Sequence, residues 1–369
     1  MGVASQVVRL TSLLEQLEEN AALADESGRT PQQSLDALKE SGLLGSLVPT
    51  EYGGLGHDSL LVGRFIASIA TVDPSIAIIA FQHFSVISRI LEWGSTKQRN
   101  EYLPKLASGQ WLAASAWSET GAGENKQKIS TTADRTSDGN WIINGVKSFT
   151  TGAGLADLYF VLVQTGASDT NAIYGNSGQS FFLIETSQGI TADSDTNLSG
   201  MRGSSTGFIR LNQCEVDSDG IIGPLGGAPY VINGIRDCGL TLGSVSLGIS
   251  EAAYSLALAH VRDRGLQANP ILQGALTELH MNLEAVRSLV EKVGARQGGD
   301  GLKQIAYQAK IFASEMSEKI ARDAGQIIGG ASYVRGKKIE RLIRDARAVS
   351  LMGPVNRLAR EIIGRELIS

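Results

Sequence analysis

Cysteine and histidine are scarce in this chain. Only Cys214 and Cys238 occur among 369 residues, and neither has a partner nearby in sequence. A disulfide framework or a zinc site is therefore not expected, and a reducing cytoplasm is the default compartment. Four scattered histidines (His57, His83, His260 and His280) show no metal-ligand spacing. No apolar run reaches membrane-spanning length, and the N-terminus lacks the hydrophobic region of a signal peptide, so no membrane insertion is expected. Positive charge is not in excess either. Lys and Arg number 33 against 38 Asp and Glu, and a net charge of −5 argues against a nucleic-acid partner, which would want a basic surface. What is present is core material: 42% hydrophobic and 19% charged residues describe a globular protein. At this length two or three subdomains are expected rather than one core.

Residues 5–44 read as two helices, with Val8, Leu10, Leu13, Leu14 and Leu17 as one apolar stripe and Leu35, Leu38, Leu43 and Leu44 as another. Thr30-Pro31 supplies the second with a cap and a first-turn proline. From Ser59 to Ala107 the pattern is helical again and predicts a buried helix pair. The composition changes after Trp111. Short apolar runs (141–143, 158–163, 180–184, 207–211) stand between Ser-, Thr-, Gly- and Asp-rich turns. Asp138-Gly139 and Asn144-Gly145 flank residues 141–143, where a small antiparallel sheet is expected to turn. From Pro229 helices return, over 239–264, 272–296 and 302–328, with a loop at 298–301 between the last two. With the closing segment they make an antiparallel four-helix bundle. Gly353-Pro354 breaks that closing segment, because Pro354 lacks the amide a continuing helix needs. The expected fold class is α+β: an N-terminal helical domain (1–112), a central antiparallel β domain (113–226) and a C-terminal helical bundle (227–369).

Six motifs fall in one order: 49–56 (PTEYGGLG), 102–109 (YLPKLASG), 118–125 (SETGAGEN), 144–151 (NGVKSFTT), 200–207 (GMRGSSTG) and the stretch 326–347. Together they resemble the acyl-CoA dehydrogenase superfamily, and the resemblance covers nearly the whole chain. It implies FAD as cofactor. Ser118 and Thr151 match hydroxyls that bond the isoalloxazine ring in the family, and Phe149 matches an aromatic packed against it. Arg264 matches an arginine on the FAD pyrophosphate of a neighbouring subunit; Gln326, Gly329 and Gly330 match the segment receiving the adenosine part. A site built from two subunits implies a homodimer or homotetramer. The bland readings stand beside these: a hairpin with polar turns for the first three, and a helix-dipole partner for Arg264.

Departures from the family pattern bear on the chemistry. Gly265-Leu266 follows Arg264 where a Phe-Gly pair is usual, which puts the grip on the adenine side in question. Glu124 stands where a serine is typical, close to the pantetheine path; its carboxylate would repel a phosphorylated CoA, offset by Lys126 and Lys128 unless these are solvated surface. The substrate pocket is expected to draw on Glu124, His83, Met352 and Gly353, although a histidine in an apolar belt also reads as a satisfied core residue. The family's usual base, a glutamate after the RDAR-like run 344–347, aligns with Gly353, which cannot take a proton. A minority of the family places the base on the first bundle helix, where Cys238 aligns, with Gly239 at the usual arginine and Asp237 and Arg236 adjacent.

Three readings follow. The first is dehydrogenation or oxidation of an acyl thioester, on CoA or a carrier protein, with Asp237 or Cys238 as displaced base and an electron-transferring flavoprotein or oxygen as acceptor. Desolvation would raise such a carboxylate's pKa to a useful value. The second is a flavin monooxygenase on the same fold, supplied by a partner flavin reductase and needing no α-proton base. The third is a non-catalytic flavoprotein, since fold alone fixes no chemistry.

Overall fold

In the computed structural model, residues 3–167, 173–295 and 302–369 are described. The expected loop at 298–301 lies outside them. Five helices open the chain: α1 (Val3–Ser27), α2 (Gln32–Glu40), α3 (Ser59–Val72), α4 (Pro74–Trp93) and α5 (Thr96–Ala107). Their starts are chemically marked. Asp58 caps α3 by accepting from the Leu61 amide; Asp73 caps α4 by accepting from Ser75 and Ile76, with Pro74 at the first turn; Ser95 and Gln98 form a capping box on α5. The expected helix pair over 59–107 is thus three helices, because Asp73-Pro74 and Gly94-Ser95 each end one and start another. By length and composition α4 could cross a bilayer, contrary to the sequence expectation. However, 83% of its apolar window is buried in protein, as in a core helix.

Eight strands follow: β1 (Ala113–Ala116), β2 (Thr132–Arg135), β3 (Trp141–Thr150), β4 (Leu158–Gln164), β5 (Gln179–Glu185), β6 (Ile190–Asp193), β7 (Gly207–Val216) and β8 (Ile221–Ile222). The sheet runs β6-β7-β3-β2-β4-β5-β8, with β1 beside β4. Its consecutive hairpin pairings are antiparallel, as expected. The β1–β4 pairing and the single-residue β2–β4 contact are parallel, because the chain leaves as β2–β3 and returns in its original direction. β4 is buried on both faces and reads as a continuous apolar run. Leu158, Phe160 and Leu162 join the helical core, while Tyr159, Val161 and Val163 join a second core on the far face. Asp138-Gly139 makes the β2–β3 turn. Asn144-Gly145 does not turn the chain; it lies inside β3 at a shift of register against β7. A Cβ at Gly145 would sit 2.3 Å from Thr131 Oγ1, so this glycine serves a close approach at a bulge.

The C-terminal domain contains α6 (Ala228–Gly234), α7 (Gly243–Asp263), α8 (Pro270–Gly294), α9 (Leu302–Ile328), α10 (Lys338–Ala346), α11 (Ala348–Leu351) and α12 (Asn356–Ile368). The fourth member of the expected bundle is divided into α10, α11 and α12, and α12 starts after the Gly353-Pro354 break. α7 begins four residues later than expected, since Gly239 takes a left-handed φ of 73°. The domains meet where α7 lies on α3. A Cβ at Gly248 would fall 2.1 Å from the Ala67 carbonyl oxygen of α3. Gly248→Ala should therefore lower the thermal midpoint, overpacking of this kind costing about 1–3 kcal/mol. Gly274→Ala on α8, where nothing lies within 4 Å, should be neutral or stabilising by up to about 1 kcal/mol of helix propensity. Thermal unfolding of the pair checks this, and equal shifts would contradict it.

Candidate active site

A buried ion pair organises the central domain's inner edge. Just past β1, Glu119 points inward and meets Lys147 of β3 at 2.7 Å, with 3% and 0% of their side chains exposed. The carboxylate is saturated. One oxygen accepts from the Ser130 amide and hydroxyl at 2.5 and 2.6 Å; the other accepts from the Thr131 amide and hydroxyl at 3.1 and 2.6 Å and from Lys147. Burial alone would raise the Glu119 pKa. The Lys147 charge and these hydroxyl bonds outweigh it and hold the group at about 2.

This pair clamps two segments side by side, and the Ser148 amide donates to the Ser118 carbonyl at 2.8 Å. Between Lys147 and Thr150 the register of β3 shifts, and Phe149 takes a φ of 52° with 69% of its surface exposed. A non-glycine residue in that conformation is uncommon, and it keeps the phenylalanine ring out of the core. The Thr151 and Thr206 hydroxyls are 3.1 Å apart, and the Gly152 amide donates to the Ser204 carbonyl, tying the 200–207 motif to the same edge. Trp117 Nε1 and Thr150 Oγ1 are buried without a partner among the described residues. A flat heteroaromatic ring fits this edge, with Phe149 against one face and Ser118 within the same cavity.

That cavity, of about 140 Å³, lies between all three domains. Ser118 and Phe149 line one side, Phe81 and Ser85 of α4 another, Tyr307 and Lys310 of α9 a third. Gly353-Pro354 closes it. Lys310 secures this loop: its ammonium donates to Met352 O at 3.0 Å, Pro354 O at 2.9 Å and Asn356 Oδ1 at 2.7 Å. Three acceptors match its three hydrogens. Burial pulls its pKa down to about 7. Arg236, 4% exposed, reaches the cavity with its charge met by Glu366 at 2.8 Å and its guanidinium 4.9 Å from the Tyr307 ring. No Asp or Glu lines the cavity among the described residues.

The residues singled out in the sequence fall into three groups. Ser118, Phe149 and Gly353 share the cavity, and Thr151 stands next to it. Arg264, Gln326, Gly329 and Gly330 lie exposed on the C-terminal domain. Arg264 ends α7, whereas Gln326 and Gly329 border a separate surface hollow. The third group lies off the cavity lining. His83, expected in the pocket, is fully buried behind it. Phe81 and Ser85, four apart, face the cavity, which turns His83 to the opposite side of α4. Its Nδ1 accepts from the Ala113 amide at 3.3 Å, and burial pushes its pKa down to about 4. Glu124 pairs with Arg357 of α12, so its charge is met by α12 and not by Lys126 or Lys128. Met352 contributes its carbonyl to Lys310 but does not line the cavity. Asp237 and Cys238 are half-buried next to Arg236 and also stay off the lining; the Cys238 thiol donates to the Ile235 carbonyl at 3.1 Å.

Sequence reasoning missed Lys310, Tyr307 and Tyr174. The first two were detectable as a lysine three residues past a tyrosine on the inward stripe of α9. Tyr174, from the β4–β5 connection, carried no signal. A Cβ built at Gly353 would lie 3.1 Å from the Tyr174 hydroxyl, so that hydroxyl adjoins the space a side chain at 353 would enter.

Family models of the acyl-CoA dehydrogenase N-terminal, middle and C-terminal domains match residues 11–110, 114–214 and 226–368. The chain is 30% identical over 364 residues to a probable acyl-CoA dehydrogenase of Mycobacterium tuberculosis, covering 96% of this chain and 92% of that protein. Its fold resembles that of butyryl-CoA dehydrogenase from Megasphaera elsdenii, with a TM-score of 0.89 and 25% identity over 100% and 99% of the two chains. It also resembles FMN-bound TdsC of Paenibacillus sp. A11-2, with a TM-score of 0.84 over 98% and 96% of the chains; at 24% identity that likeness is one of fold.

Removing Lys147 leaves Glu119 buried and unpaired, so Lys147→Met should destabilise the protein by about 3–5 kcal/mol and release bound flavin earlier on heating. Glu119 has a folded-state pKa below its unfolded value of 4.5, so its contribution is present above that pH and lost as the pH falls toward about 2. Unfolding followed across this window should show a shallower loss in Glu119→Gln than in the wild type. Parallel curves would remove the pair from this role.

Proposed function

This chain belongs to the acyl-CoA dehydrogenase family and is a flavin-dependent oxidoreductase of that type, and from that premise we propose that it oxidises a small acyl thioester, carried by CoA or a carrier protein, with FAD as its flavin. The observation that supports the reading is the shared chamber: Ser118 and Phe149 face the Gly353-Pro354 loop across one small cavity. Its volume is near that of a cavity that admits a benzene ring, and the flavin edge would share it, so the space left favours a short or compact acyl group. When bound, the flavin supplies the electron-accepting ring, and the protein's share is to place and tune it. Phe149 would pack against the ring, and Ser118 and Thr151 would bond its edge. Arg264, Gln326, Gly329 and Gly330, on the outer face of the C-terminal domain, would take the pyrophosphate and adenosine parts from a second copy, making the active form at least a homodimer. Asp237, adjacent to the cavity-lining Arg236, is the base on this reading.

A second reading, a flavin monooxygenase served by a reductase, is favoured by one specific observation: no carboxylate lines the cavity among the described residues. Oxygen-dependent oxidation of nitrogen, sulfur or aromatic carbon needs no group to remove an α-proton, whereas dehydrogenation of a thioester does.

Anaerobic mixing of the holoenzyme with a panel of short acyl thioesters separates the two. Under the first reading the visible flavin absorbance bleaches, and Asp237→Ala slows the bleaching by about 10²-fold or more, the usual contribution of a general base. If no thioester bleaches the flavin, and turnover appears only with oxygen and a flavin reductase, the second reading replaces the first.

A further inference from the structure

The cavity wall is electrically one-sided. Three cationic side chains line it, Lys126, Arg236 and Lys310, against no acidic one among the described residues. Two of the three are already engaged. Arg236 pairs with Glu366, and the Lys310 hydrogens go to three oxygens of the 352–356 loop. Lys126 differs. Its backbone is fixed, the Lys126 carbonyl accepting from Gln179 Nε2 at 2.7 Å, and its φ of 56° is one that a lysine rarely adopts. Its ammonium makes no hydrogen bond or ion pair with a described residue, although the residue is half-buried. The neighbouring carboxylate, Glu119, is occupied by Lys147, Ser130 and Thr131. Lys128, two positions on, is exposed and lines nothing.

A partly desolvated cation held in an uncommon backbone conformation at a cavity wall is complementary to an anion from the ligand. We propose that the part of the substrate lying within the cavity carries an anionic group, a carboxylate or similar oxyanion, and that Lys126 is the specificity-determining residue that receives it. The proposal rests on reading this cavity as the substrate site. It adds that the acyl portion is itself acidic. With Arg236 met by Glu366 and Lys310 committed to the 352–356 loop, Lys126 is the lining cation left to receive that group.

The test uses holoenzyme and two pantetheine thioesters of equal chain length, one ending in a carboxylate and one in its methyl amide. Affinity is read by calorimetry under anaerobic conditions, so the result does not depend on whether the flavin is then reduced. The wild type should bind the carboxylate form at least about tenfold more tightly, the low end for a charge-assisted hydrogen bond. Lys126→Met should bring the two within about twofold while keeping its flavin content, and Lys126→Arg should retain the preference. Free glutarate should compete with the carboxylate thioester in a Lys126-dependent way. Equal affinities in the wild type, an unchanged preference in Lys126→Met, or binding of neither ligand overturns the proposal. Lys126-dependent competition by phosphopantetheine but not by glutarate assigns the lysine to the thioester's handle and overturns it as well. Lys126-dependent binding without bleaching would instead sink the thioester-oxidation reading and leave this one standing.

Discussion

The chamber between the three domains depends on one ion pair taken out of water. Glu119 and Lys147 would each be costly to bury alone, and their mutual attraction repays desolvation only with good geometry and further hydrogen bonds. Here both are present: Ser130 and Thr131 contribute amide and hydroxyl donors to the same carboxylate. The consequence is positional. Ser118 precedes Glu119 by one residue and Phe149 follows Lys147 by two, so clamping the pair sets the hydroxyl and the exposed ring side by side. The register shift in β3 then leaves Phe149 exposed at the cavity.

Opposite this edge the loop at 352–356 is held by a different device. A buried lysine from α9 gathers two backbone carbonyls and an asparagine side chain, and Asn356 in turn donates to Ser314 and Glu315. The loop is thus firmly placed although it brings no proton acceptor of its own. Gly353 leaves its side-chain space beside the Tyr174 hydroxyl, and burial pushes the Tyr174 pKa far up, so at neutral pH this phenol can donate a hydrogen bond but cannot serve as a base. Among apolar side chains such as Phe81, Ile232, Leu240 and Leu242, the walls place hydroxyls and cations that can orient the polar groups of a ligand.

Family membership and reaction are separate matters here. A relative 30% identical along nearly the whole chain fixes the family, and with it a flavin-dependent oxidoreductase. The step that removes a proton depends on one side chain at one place, and a fold carries no such guarantee. This is why Gly353, which the sequence resemblance aligns with the family's usual base, bears on the reaction and not on family membership.

Much of the architecture was legible in local pattern. The stripe from Leu272 to Val293 marks α8, the break at Pro354 marks the start of α12, and the double-sided apolar run of β4 marks a central strand. These follow from rules that act over a few residues: side-chain period, capping and the missing proline amide. The failures share a cause. Asn144-Gly145 has turn chemistry, but Thr131, just before β2, approaches it closely and makes it a bulge. His83 sits in the right helix yet faces away from the cavity that Phe81 and Ser85 line. Glu124, expected to be offset by Lys126 and Lys128, is met by Arg357 from α12. The family and the fold class were therefore determined by the sequence by itself, through six short motifs in order. Which charges face the cavity was decided only by the tertiary structure, because that wall joins residues as far apart as 81, 126, 174, 236, 310 and 353, whose neighbours no local rule can supply.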